Sequence, residues 1–124
     1  MWRIAGGVVV GAVVWCLGVA ALAFVLRAAW PEMAAIRDMT LLTVPMLFTR
    51  LAVSALSSAA GGFGASVASG EKRWAAIGSG LLLLLVFVPY HATIWHNFPV
   101  WYHLTFFVSL PLLAALGGAL SGPR

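Results

Sequence analysis

One arginine, three histidines and two tyrosines are the residues of this chain that could do chemistry, because nearly everything around them is apolar. Arg50 stands inside an apolar run over residues 43–67. It lies about 10 Å along a helix that starts near Thr43. Its guanidinium is a permanent cation with five N–H donors, suited to carboxylate or phosphate oxygens. His91 and His103 each fall about one turn from the facing ends of two later runs, with His96 between them. Histidines can hold zinc or copper, and a pair on facing helices can hold a haem iron. The spacing of His91, His96 and His103 matches no metal signature, and no metal or other cofactor is expected. Helical side chains tilt toward the helix N-terminus, so an extended Arg50 reaches the depth of the histidines. The spacing therefore predicts a polar cluster of Arg50, His91, His103, Tyr90 and Tyr102 at one end of a bundle. Such a cluster would receive an anion or a lipid phosphate. The plainer alternative has Arg50 snorkelling outward or pairing with Glu32 or Asp38, and the histidines satisfied by backbone and water.

The groups that catalysis needs are missing. The apolar runs contain no Asp or Glu, no activated nucleophile motif and no glycine-rich phosphate loop. A non-enzymatic protein is expected.

The elements that position these residues follow from composition. Of 124 residues, 63% are hydrophobic and 8% charged, and mean hydropathy is +1.04. So much apolar surface cannot be buried inside a 13.1 kDa globule, and it excludes a disordered chain as well. The net charge of +4 comes from scattered cations near the run ends. That is the pattern of membrane flanks, and no nucleic-acid surface is expected. The sequence predicts an all-α polytopic membrane protein, a single domain of four antiparallel transmembrane helices over residues 4–26, 43–67, 74–95 and 99–120. The first run lies between Arg3 and Arg27. Its 23 residues extend about 34 Å, enough to span a bilayer and too long for a signal peptide core. It reads as an uncleaved helix. Runs of this length without alternation are not barrel strands.

Trp30-Pro31-Glu32 marks the start of a short interfacial helix in the first loop, with Met33 and Ile36 on one side. Pro45 should kink or separate this loop from the second run. Residues 68–73 and 96–98 form tight turns. Cys16, the single cysteine, excludes an internal disulfide and reads as a packing residue.

Helical wheels predict which faces pack. Gly7, Gly11 and Gly18 share one side of the first helix, a small-residue spacing that lets backbones approach closely. This side contacts either a neighbouring helix or a second copy of the chain. In the second helix Thr43, Arg50, Ser54, Ser57, Gly61 and Gly64 form a small, polar stripe. Leu41, Phe48, Ala52, Leu56, Ala59 and Phe63 lie opposite. Lipid offers polar groups no partner, so the stripe should face the bundle or a wet cavity. His103 shares its face with Leu110, Ala114 and Gly117 and should point inward.

Arg3, Lys72, Arg73 and Arg124 fall on one side of the membrane, and Arg27, Arg37 and Arg50 on the other, which places both termini in the cytoplasm. The stretch Asn97-Phe98-Pro99-Val100-Trp101-Tyr102-His103-Leu104, followed by Ser109-Leu110-Pro111, resembles the C-terminal end of a group of small, uncharacterised bacterial four-helix integral membrane proteins. The resemblance implies a bacterial inner-membrane protein and supplies no activity. The first helix lacks the acidic residue of small multidrug exporters, and the third lacks the Thr/Ser-Phe motif of fluoride channels. Three functions follow from the residues. The first is a structural or interaction protein that packs with itself or with another membrane partner, lipid included. The second is a small oligomeric channel or transporter with a polar path near Arg50. The third is a metal or haem site at the histidines.

Overall fold

A computed structural model describes residues 2–71 and 73–122. Lys72 and Arg124, two of the cations used to orient the chain, and Pro123 lie outside the described residues. The chain is all-helical, with no strand among the described residues. Four helices are long and apolar enough to cross a membrane: α1 (Trp2–Ala29), α3 (Val44–Ser69), α4 (Trp74–Thr93) and α5 (Val100–Ala119). A single turn, α2 (Pro31–Ala34), follows α1. The long helices match the predicted spans to within a few residues at either end, as expected where ends fray.

Local chemistry sets the ends. Thr43 is extended, and Pro45 occupies the first turn of α3, where its missing N–H is not needed. Pro45 therefore opens this helix instead of kinking it. At the other end Gly70 adopts φ 70° and its N–H returns to the Ser66 carbonyl, a left-handed cap that favours glycine. In the first loop the predicted helix is cut to one turn. Asp38 accepts from the Thr40 N–H at 3.0 Å and the Thr40 hydroxyl at 2.6 Å, and a short 3₁₀ turn over Met39–Leu41 follows. These Thr40 hydrogen bonds, the side-chain one foremost, hold the Asp38 carboxyl below its usual range.

Glu71 caps α4 with its side chain. Its carboxylate accepts from the backbone N–H groups of Arg73, Trp74 and Ala75. Burial pushes its carboxyl up, but these hydrogen bonds and the Arg73 charge outweigh that and hold it below the ordinary value of 4.5. A carboxyl lowered on folding stabilises above its unfolded value, and that stabilisation disappears as pH falls through the lower folded value. Glu71→Gln should therefore destabilise α4 by about 1 kcal/mol near neutral pH. Wild type and variant should converge in a detergent unfolding series once pH falls below the lowered folded value of Glu71. A gap that persists in acid would remove the carboxylate from the explanation.

The close approaches between helices fix their directions. A β-carbon on Gly7 would meet Ala65 and Ser69, and one on Gly18 would meet Ser57, so α1 and α3 are antiparallel. Gly7 also approaches Ala75, and Gly11 approaches Ser79, so α1 and α4 run alongside in the same sense. Gly80 lies against Leu110 and Pro111, while His91 lies against His103, so α4 and α5 are antiparallel. Helix α3 is central and touches all three other long helices. Its predicted stripe faces α1, with Ser54, Ser57 and Gly61 buried. Of the opposite set, Leu41, Phe48, Ala52, Leu56 and Phe63 are exposed, whereas Ala59 is half-buried with its backbone against Gly117 of α5. A second buried stripe containing Leu51, Ser58 and Gly62 completes the contacts of α3. Cys16 is exposed on α1, away from the bundle, and so does not pack inside it.

Candidate binding cavity

Helices α1 and α4 are tight at one end and apart at the other. Gly7 and Gly11 bring them together beside Ala75 and Ser79. Further along, Trp15 and Phe87 fill the gap, with ring centroids 5.0 Å apart. The Trp15 indole N–H donates to the Ser58 hydroxyl at 3.1 Å, which locks the ring in place. Beyond this pair the helices are separated by a cavity of about 540 Å³, within the range of small-molecule sites. Trp15, Val19 and Ala23 form one wall, and Phe87, Tyr90 and His91 the facing one. Arg50 and Ser54 of α3 and Tyr102 and Phe106 of α5 line the back. Met33, Ala34 and Ile36 contribute from α2 and the chain just after it. Among the described residues two cations, Arg27 and Arg50, line the cavity, and no carboxylate does.

Arg50 is half-buried. Its Nε donates to the Tyr102 hydroxyl at 3.1 Å, and its guanidinium carbon lies 5.6 Å from the Phe98 ring centre. It makes no ion pair among the described residues. No salt bridge joins it to Glu32 or Asp38 among the described residues, and Asp38 accepts from Thr40 instead. Four of the five guanidinium N–H groups keep no protein partner among the described residues. Ser54 is 4% exposed, and its hydroxyl is sealed and likewise has no partner among the described residues.

The histidines form a directed pair. His91 and His103 are 4% and 0% exposed, and their Nδ1 atoms are 2.6 Å apart. The Nε2 of His103 lies 2.9 Å from the Trp95 carbonyl oxygen. A carbonyl only accepts, so His103 Nε2 carries a hydrogen and the neutral ring's Nδ1 is the acceptor. His91 must then donate through Nδ1, which leaves its Nε2 as a bare lone pair. Stacking holds both rings: His103 on Trp95 at 4.3 Å and His91 on Phe106 at 4.5 Å.

The structure thus brings Arg50, His91, Tyr90 and Tyr102 together around one cavity with Ser54. Tyr90 sits at the rim, 45% exposed. His103 stands behind His91 and does not line the cavity. Ser57 and Gly61 lie deeper, against Gly18 and Gly11. Gly7, Gly11 and Gly18 all meet α3 or α4 of the same chain. His96 is exposed on the 3₁₀ turn that precedes α5. Both nitrogens of His103 are already engaged, and no three His, Cys, Asp or Glu side chains cluster among the described residues. Sequence reasoning missed Trp15, Phe87 and Arg27 as cavity residues. Only the pairing of Met33 with Ile36 hinted at what covers it.

No protein-family model matches the chain, and no curated protein or solved structure matches it.

Proposed function

We propose that the chain is a non-enzymatic, four-span integral protein of a bacterial inner membrane, and that its function is to bind an amphipathic membrane molecule in the Arg50 cavity. Both termini lie in the cytoplasm on this reading, and the short α2 rests in the opposite interface. The outward display of Phe24, Phe48, Leu85, Val108 and Leu112 supports hydrocarbon as the surrounding solvent. The observation that carries the binding role is an apolar cavity with two arginines and no carboxylate. Such a site favours a negatively charged head with an apolar body. The partner expected from the sequence then becomes lipid-like, because the glycine faces are occupied within the chain itself.

Native mass spectrometry of the purified chain checks this. Wild type should retain an anionic amphiphile, and Arg50→Gln should reduce occupancy at least about tenfold, the effect of losing a charge-assisted contact. Equal occupancy in the two proteins would overturn the reading. A second reading, an oligomeric channel or transporter, is favoured by the Ser54 and Ser57 hydroxyls, which are buried without partners along α3. Ion flux in proteoliposomes that vanishes in Arg50→Gln would favour it over simple binding.

A further inference from the structure

The cavity offers more than positive charge. Arg50 and Arg27 present donors, and so does Tyr102: its oxygen accepts from Arg50, so its own O–H is free to donate. His91 Nε2 is different. The chain of hydrogen bonds from the Trp95 carbonyl through His103 makes it an acceptor. It has no partner and is not among the sealed, unpartnered atoms, and His91 lines the cavity. Ser54 also lines the cavity, but its unpartnered hydroxyl is sealed from that space, so His91 Nε2 is the acceptor that a ligand can reach. A bare oxyanion would satisfy the arginines and leave His91 Nε2 without a hydrogen to accept.

We infer that the site takes a phosphoryl oxyanion whose head also carries an O–H, with the anion on Arg50 and the hydroxyl donating to His91 Nε2. This rests on the binding function proposed above and specifies its ligand. The route for a tailed ligand is lateral. Ala23 and Tyr90 are exposed on opposite rims, one on α1 and one on α4, so the cavity opens between these helices toward the bundle's apolar surroundings. The acyl tail would lie against Val19 and Phe87. The same head chemistry also occurs in water-soluble phosphates, which would lack the contribution of the apolar walls.

The test titrates the full chain in detergent with four probes, read by native mass spectrometry. Phosphatidylglycerol carries the phosphoryl anion and hydroxyls; phosphatidylmethanol carries the same charge and no hydroxyl. Phosphatidylcholine carries no net charge, and glycerol phosphate has no tail. The glycerol lipid should bind about fivefold to tenfold more tightly than the methanol lipid, the effect of one hydrogen bond. His91→Phe should abolish that difference while both anionic lipids still exceed phosphatidylcholine. Tighter binding of glycerol phosphate than of either anionic lipid would make the source a soluble phosphate. Equal binding of the two anionic lipids by wild type would overturn the inference and leave the binding function standing. Failure of both to exceed phosphatidylcholine would overturn the binding function as well.

Discussion

Gly62→Val is expected to separate α5 from α3 and to destabilise the bundle by about 3 kcal/mol or more, at the upper end of overpacking effects. A β-carbon at Gly62 would collide with the backbone of Ala114, its carbonyl oxygen first. The reciprocal contact sets Gly117, one turn after Ala114 on α5, against the carbonyl of Ala59, one turn before Gly62 on α3. Both obstacles are backbone, so no change of rotamer relieves them; the helices themselves must move apart. Tyr102 and Phe106 of α5 would move with them, and the back wall of the cavity would lose its register with Arg50. Gly6 provides the control. A β-carbon there meets nothing within 4 Å, and Gly6→Ala should be neutral or stabilise by up to about 1 kcal/mol through helix propensity. Thermal unfolding in detergent followed by circular dichroism compares the three proteins. Similar midpoints for Gly62→Val and wild type would show that α3 and α5 are not this close.

The polar stripe of α3 was legible because period-3.6 spacing places Arg50, Ser54, Ser57 and Gly61 on one face, and these residue types differ from lipid. Its second buried stripe was not. Leu47 and Leu51 are buried while Leu56 is exposed, and a leucine facing lipid reads the same as one facing a neighbouring helix. The common depth of Arg50, His91 and His103 followed from run lengths and turn positions. The hydrogen-bond direction through the histidines did not, because it depends on the Trp95 carbonyl, which no side-chain pattern encodes. The cavity was hidden for a similar reason. It exists because glycines close α1 on α4 at one end while Trp15 and Phe87 hold them apart further along, and volume between helices leaves no periodic trace. The glycine face of α1 left a choice between a neighbour and a second copy, and only three-dimensional contacts place Gly7, Gly11 and Gly18 against α3 and α4.

His103→Leu is expected to destabilise the bundle by about 2–4 kcal/mol, and the double variant His91→Phe with His103→Leu by less than the sum of the two singles. His103 is fully buried and satisfies two groups at once. It donates to the Trp95 carbonyl and accepts the His91 Nδ1 hydrogen. Removing it leaves both partners unsatisfied among aromatic rings, where an unpaired polar group costs about 1–3 kcal/mol. It also removes the stack on Trp95 at 4.3 Å. Once His103 is gone, replacing His91 with Phe removes a stranded donor instead of breaking a hydrogen bond, so the second substitution is nearly neutral in that background. The coupling between the positions should be at least about 1 kcal/mol in a double-mutant cycle, well above the additivity error of independent sites. Leucine preserves apolar volume, so a simple cavity effect predicts additive losses instead. Additivity within about 0.3–0.5 kcal/mol would mean that the two rings do not share a hydrogen, and the lone pair assigned to His91 Nε2 would lose its basis.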